Sequence, residues 1–154
     1  MEKIEWCMKQ KSGIEVVEPN ENLSKAYIKK AEDALKAAAS LKGNKDWEIS
    51  SLYYTMYFSL YSILMRIGIK CEIHSCTIEF MRQFLQEHFN DDDFFLIKKS
   101  MKARIDAQYY SNRNISEKDY SNMIIKAPLF LAKCKELLLG LSDKNVEDIR
   151  NRIK

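Results

Sequence analysis

Two short groups of residues in this chain have side chains that could do chemistry. The first is Cys71-x-x-His74-x-Cys76, which places three potential metal ligands close together. A structural zinc site needs four ligands, normally as two separated pairs, and no second pair lies nearby in the sequence. We therefore interpret the cluster as a chance arrangement and expect no metal site. His74 stands before Ser75 at a predicted helix start, so it either opens that helix or contacts a ligand.

The second group is a basic stretch that leads to Arg104. Lys98, Lys99 and Lys102 precede the arginine, which lies at the edge of an apolar helical stripe. A basic patch on a helix is usually a solvated face. An arginine at the edge of an apolar stripe is likewise usually solvated. The alternative is that the lysines steer RNA or a nucleotide phosphate toward a cleft that contains Arg104. The residue types alone leave both interpretations open.

Several well-known kinds of site are excluded because their motifs are absent. The sequence has no P-loop and no G-x-G-x-x-G, so nucleotide binding would not use either phosphate-binding loop. A di-iron centre of the ferritin type needs Glu-x-x-His on helices, and the chain contains none. The net charge of +3 permits an acidic partner without requiring nucleic acid. We expect no cofactor.

The composition predicts that helices position these residues. The 154 residues include four glycines and two prolines, too few turn residues for a sheet-rich fold. The four cysteines show no paired spacing of a disulfide framework, and Cys134 is expected to be a reduced core residue. The N-terminus has no apolar signal run. We therefore expect a cytoplasmic protein.

One stretch, Trp47 to Gly68, is predicted to be the central helix. From Leu52 to Ile67 nearly every position is apolar or aromatic, so the helix must be covered on nearly every side. Its tyrosines, hydroxyl residues and Arg66 make it too polar to span a bilayer, and we expect no association with a membrane. Gly68 suits the position that ends a helix. The tyrosines are expected to pack in the core or between subunits, with one or two hydroxyls reaching a polar cleft.

The rest of the chain divides into further helices that are separated by capping signals. Helix starts are predicted at Pro19–Asn22, His74, Asn90–Asp93, Ser116 and Ser142, and a helix end at Gly140. We expect Glu79 to face solvent and the C-terminal residues to fray. The pattern predicts one all-α domain over residues 1–154: an N-terminal arm at 1–19, a bundle of four or five main helices at 20–140, and a short helix at 141–154.

Three stretches, in the same order along the chain, resemble the HEPN family, the higher-eukaryote and prokaryote nucleotide-binding domain. The central helix carries Y-Y-T-M-Y-F-S-L-Y-S-I-L-M-R-I-G at Tyr53–Gly68. His74-Ser75, followed by Ile-Glu-Phe at 78–80, resembles the His-Ser element that opens the family's next helix. A-R-I-D-A-Q-Y at Ala103–Tyr109 resembles its later segment of Arg, Asp and Tyr. The resemblance covers roughly residues 23–139.

This resemblance implies an up-and-down helical bundle that dimerises around a polar cleft. Many prokaryotic members are encoded beside a small nucleotidyltransferase and act as the toxin of a toxin–antitoxin pair. Active members are metal-independent ribonucleases that use an Arg followed, after four to six residues, by a His. In that pair the imidazole takes the proton of the 2′-hydroxyl or gives a proton to the leaving oxygen. The guanidinium stabilises charge on the phosphorane.

The sequence departs from the family pattern at the catalytic histidine. Counting from Arg104, the possible positions hold Tyr109, Tyr110 and Ser111, and Gln108 stands where the family usually has Asp. Tyrosine, with an ordinary pKa near 10, is a poor base at neutral pH. The nuclease activity is therefore expected to be absent or weakened, while the cleft keeps the ability to bind.

The resulting prediction is a homodimeric, HEPN-like module that binds a nucleotide or RNA and partners a small nucleotidyltransferase in a toxin–antitoxin-type pair. One alternative is a weak metal-independent ribonuclease that uses Arg104 with Tyr109 or His74. Another is a purely structural dimerisation protein. The candidate catalytic residues are Arg104 and Tyr109. The candidate ligand-binding residues are Arg104, Gln108, His74, Tyr54 and Lys102.

Overall fold

The computed structural model describes residues 2–110 and 112–153, and over these residues the protein is an all-α helical bundle, as the sequence predicts. It consists of α1 (Lys3–Lys9), β1 (Glu15–Val16), α2 (Glu21–Ser40), α3 (Lys45–Ile67), β2 (Ile69–Lys70), α4 (His74–Phe84), α5 (Asp91–Tyr109), α6 (Glu117–Gly140) and α7 (Asp143–Ile153). The two short strands pair antiparallel, with Glu15 opposite Lys70. Among the described residues, no helix combines the length and apolar character needed to cross a membrane.

Helix α3 is the centre of the bundle, which confirms the expectation for this stretch. Helices α2, α5 and α6 pack along it, and most of its residues are buried. Gly68 ends α3 with a φ of 90°, a left-handed conformation that glycine adopts without strain. A Cβ atom there would lie 2.4 Å from Arg150 Nη1 and 2.5 Å from the Val17 carbonyl oxygen. The close approach of these two neighbours therefore also requires glycine.

The helix starts follow the capping signals of the sequence. The Asn20 side chain accepts a hydrogen bond from the Leu23 amide at 2.9 Å, and Ser116 caps α6 in the same way. Asn90 and Asp93 form a reciprocal capping box at the start of α5. These bonds satisfy amide groups that a helix start otherwise leaves without partners.

The prediction that the C-terminal residues fray is wrong for α7, which is helical as far as Ile153 and is anchored to the bundle. Val146 and Ile149 are buried. Arg150 donates from Nη1 to the carbonyl oxygens of residues 17, 67 and 68 at 2.8, 2.9 and 3.2 Å. This one guanidinium therefore joins the C-terminal helix to the end of α3 and to the segment after β1.

The four cysteines show no paired spacing in the sequence, yet two of them form a disulfide. Cys7 of α1 and Cys76 of α4 form a disulfide, with a Cα–Cα distance of 5.6 Å and a sequence separation of 69 residues. Cys76 therefore cannot offer a thiolate to a metal alongside Cys71 and His74. Cys71 and Cys134 are free and buried, and burial raises the pKa of both thiols. A wide sequence separation leaves no local spacing from which the pairing could be predicted.

Glu79 is also placed differently from the prediction, since it is buried rather than facing solvent. Its side chain pairs with Arg82, whose Nε lies 3.1 Å from the Glu79 Oε1. A carboxylate is buried at low cost only when it is paired and hydrogen-bonded, and Arg82 supplies both.

Candidate functional site

Arg104 lies on the fourth turn of α5, and its guanidinium lies over two tyrosine rings of α3. Its Cζ is 5.2 Å from the ring centroid of Tyr53 and 5.6 Å from that of Tyr54, which is the geometry of cation–π contacts. The Nη1 donates to Gln108 Oε1 at 2.9 Å. The Nε is buried and has no hydrogen-bond partner among residues 2–110 and 112–153. The side chain is half-buried, so the guanidinium is fixed in place while its charge is matched only by a neutral amide.

His74, the first residue of α4, reaches the same tyrosines from the other side. Its ring stacks on Tyr57 at a centroid distance of 3.9 Å and an interplanar angle of 11°. Its Nδ1 lies 2.7 Å from the Tyr53 hydroxyl oxygen. Tyr53 therefore stands between His74 and Arg104 and contacts both. The structure brings together two of the predicted residues that lie thirty positions apart in the chain.

The electrostatics of this cluster favour a neutral imidazole. Burial, and then the positive charge of Arg104, lower the pKa of His74 to about 4. Burial also raises the pKa of the Tyr53 hydroxyl, although the positive charge of Arg104 opposes that shift. Both groups are thus uncharged at neutral pH. The hydrogen bond between the Tyr53 hydroxyl and Nδ1 is compatible with either neutral tautomer of the imidazole.

The other predicted residues divide between this cluster and the opposite side of α5. Tyr54 is half-buried and belongs to the cluster: it lies under Arg104, and its ring meets that of His74 edge-on at 6.2 Å. Gln108 is exposed and accepts from Arg104. Tyr109 is 72% exposed. The Lys102 Nζ pairs with Asp106 at 2.7 Å and so has its charge compensated.

Tyr53 is the functional side chain that the sequence identified least well. The pattern assigned it to packing in the core or between subunits and gave no means of choosing which of the four tyrosines of α3 has its hydroxyl at a polar cleft. Tyr57 instead pairs with Thr77 at 3.1 Å, and Tyr61 accepts from the Cys71 amide at 3.1 Å. The usable signal is the helical spacing of 53, 57 and 61, which puts these phenols in one column and requires a partner for each.

The best-formed cavities lie away from this cluster. A cavity of about 760 Å³ is lined by residues of α6 and α7 together with Glu87 and His88. A second, of about 620 Å³, lies between α5 and α6 and includes Lys102 and Asp106. Neither Arg104 nor His74 lines either of them. The Arg104 cluster therefore lies outside both of these cavities.

Comparison with known proteins identifies the family of the chain. Residues 24–137 match the model of the HEPN domain family. A protein of Methanocaldococcus jannaschii named "Putative toxin MJ0142" is 27% identical over 117 residues, which cover 73% of this chain and 80% of that protein. The family match extends from α2 to the last turns of α6 and so includes α3, His74 and Arg104. The chain is a member of the HEPN domain family.

Proposed function

We propose that the protein binds the phosphate of a nucleotide or an RNA at Arg104, as one half of a toxin–antitoxin-type pair. The observation that carries the proposal is the guanidinium of Arg104. It is held over two tyrosines, is bonded to a neutral amide and, in the part of the chain that the structure describes, keeps a buried Nε without a partner. An anion placed there would gain charge-assisted hydrogen bonds at little cost in ordering the side chain. The toxin name of the Methanocaldococcus relative supports the setting.

The state of His74 supports binding over cleavage. Its Nδ1 is already hydrogen-bonded to the Tyr53 hydroxyl, so this nitrogen is not free to act as a general base toward a substrate. In the tautomer with its proton on Nε2, the imidazole offers a donor that can share a phosphate with Arg104. A pKa near 4 also leaves almost no imidazolium to act as an acid at neutral pH.

A homodimer is the second part of the proposal. Arg104 and Tyr54 are half-buried and Gln108 is exposed, so a second copy placed over them would enclose a ligand and exclude water. Exclusion of water strengthens the interaction between a guanidinium and a phosphate. The partner protein we propose is a small nucleotidyltransferase, on the strength of the family membership and the toxin-type relative. Co-expression of the two proteins followed by co-purification tests that part.

Titration with AMP, ATP and short RNAs tests the binding proposal. We expect saturable binding to the wild-type protein and at least a tenfold loss of affinity for Arg104→Ala. Lys102→Ala is the matched control, since it removes a charge from the same helix that is already paired with Asp106. Absence of binding to the wild-type protein, or an equal loss of affinity in Arg104→Ala and Lys102→Ala, would count against the proposal.

A metal-independent ribonuclease is the second candidate, and one observation favours it. Arg104 and His74 share a cluster through Tyr53, whereas Tyr109 is 72% exposed. If Tyr53 releases Nδ1 when substrate binds, His74 becomes a neutral base at neutral pH. RNA cleavage in the presence of a chelator that disappears in both Arg104→Glu and His74→Ala would support this candidate. Cleavage that survives His74→Ala would exclude His74 as the base.

A further inference from the structure

A row of half-buried aromatic rings extends from Arg104 toward α2. Tyr54 and Phe58 lie one turn apart on α3, with centroids 5.3 Å apart and planes inclined by 22°. Tyr27 of α2 continues the row at 5.8 Å from Phe58. We call Tyr54, Phe58 and Tyr27 the aromatic ridge. Each of its three side chains keeps part of its surface exposed.

The aromatic ridge lies between α2 and α5. Both helices pack against α3, but within the described residues they make almost no contact with each other. The strip of α3 between them is therefore left without a covering helix. This explains why Tyr54 and Phe58 are half-buried while Tyr53 and Tyr57, on the neighbouring face of the same helix, are buried.

A cation lies at each end of the aromatic ridge. Arg104 Cζ is 5.6 Å from the ring of Tyr54. At the other end, Lys30 Nζ is 5.4 Å from the ring of Phe58 and 5.5 Å from that of Tyr27. Placed end to end, the distances of 5.6, 5.3 and 5.4 Å limit the separation of the two cations to about 16 Å.

Neither of these cations forms a salt bridge within the described residues. The partner of Arg104 is the amide of Gln108, and Lys30 contacts only the rings beneath it. The adjacent Lys29, in contrast, pairs with Asp33 at 2.6 Å. The aromatic ridge is thus flanked by uncompensated positive charge, which is complementary to an anionic chain with flat, apolar side groups.

Single-stranded nucleic acid has this chemistry, because its bases stack on aromatic faces while its phosphates attract cations. We propose that the aromatic ridge binds a short single-stranded RNA, with bases packed against the exposed parts of Tyr54, Phe58 and Tyr27 and phosphates at Arg104 and Lys30. The inference rests on the proposed function, which supplies the phosphate site at Arg104. At about 3.4 Å per stacked nucleotide, a span of about 16 Å holds at most about five nucleotides.

Binding of oligoadenylates of one, two, four and six nucleotides tests the inference. For the wild-type protein we expect the affinity to rise with length up to about four or five nucleotides and then to level off. Phe58→Leu keeps an apolar filler against α3 but removes the aromatic face. It should weaken binding of the tetranucleotide about 5- to 100-fold and leave binding of AMP unchanged. Lys30→Gln should reduce the salt slope of tetranucleotide binding by about 0.7.

Two matched variants control for loss of an aromatic ring or a charge elsewhere. Phe95→Leu alters a ring of α5 that is 53% exposed, and Lys36→Gln alters an exposed lysine of α2. Both should bind the tetranucleotide like the wild-type protein. Circular dichroism of each variant confirms that it is folded.

Three outcomes would overturn the inference, and they differ from failure of the proposed function. Affinity that does not depend on length, with AMP still bound through Arg104, refutes the aromatic ridge alone. An equal loss of tetranucleotide affinity in Phe58→Leu and Phe95→Leu would also refute the aromatic ridge alone. A change in sedimentation for Phe58→Leu, with RNA binding unchanged, would identify the ridge as a contact between copies of the chain. Absence of any nucleotide binding would refute both proposals.

Discussion

Replacing Arg104 with glutamine should raise the pKa of His74. The pKa of His74 is about 4 because of burial and, second, because of the charge of Arg104. Removing that charge should move the pKa part of the way back to the ordinary value of 6.5. Glutamine keeps the length and a donor at this position but carries no charge. The variant therefore tests whether the two side chains share one site, without requiring any ligand.

The size of the effect follows from the distances. Arg104 Cζ lies 5.2 Å from the Tyr53 ring centroid, and that centroid lies 5.8 Å from the imidazole centroid, so the charge is within about 11 Å of the imidazole. With an effective dielectric constant between about 20 and 80, a unit charge at that distance changes a pKa by about 0.3 to 1 unit. Burial remains in the variant, so the pKa should stay below 6.5.

An NMR titration of the imidazole Hε1 signals measures this change directly. The chain has two histidines, so a His88→Gln variant assigns the signals. Lys102→Gln is the control, because it removes the same charge from α5 at a lysine that Asp106 already neutralises. A His74 pKa that is equal in wild-type protein and Arg104→Gln, or that moves as far in Lys102→Gln, would refute the shared site.

Three further predictions concern stability. Because the pKa of His74 is about 4 in the folded state and about 6.5 in the unfolded state, the unfolded state binds more protons between these values; the free energy of unfolding should fall as the pH drops through this range, and less steeply in His74→Gln when followed by urea denaturation. Cys7→Ser should lower the free energy of unfolding by about 4 kcal/mol, since the disulfide joins residues 69 positions apart; dithiothreitol should bring the wild-type protein to the same value and leave the variant unchanged. Gly68→Ala should destabilise the protein by more than about 1 kcal/mol, because the new methyl group would meet Arg150 and Val17; Gly43→Ala, with a similar φ of 88° but open surroundings, should cost less, and equal Tm values for the two variants would contradict this account.

Much of the fold could be predicted because its signals are local. Asn20, Asn90 and Ser116 cap helices within three residues of themselves, and Gly68 ends α3 through its own backbone conformation. The central position of α3 follows equally from its own residues, since a helix that is apolar all round must be covered. Such features need no knowledge of which helix lies next to which.

The features that were missed depend on contacts between distant segments. The Cys7–Cys76 disulfide forms because α1 folds back on α4, and no spacing in the sequence reports that contact. Glu79 seemed suited to solvent by its type, but its pairing with Arg82 allows burial. For the same reason, the sequence identified Arg104 and His74 separately, and only the packing of α4 and α5 around Tyr53 joins them.

The most direct test of the central claim, that Arg104 binds a phosphate, compares AMP with adenosine by isothermal titration calorimetry. The two ligands share a base and a ribose and differ only in the phosphate. The account predicts that the wild-type protein binds AMP at least tenfold more tightly than adenosine, and that Arg104→Gln removes this difference. Equal affinities for the two ligands in the wild-type protein, or a preference for AMP that persists in Arg104→Gln, would contradict it.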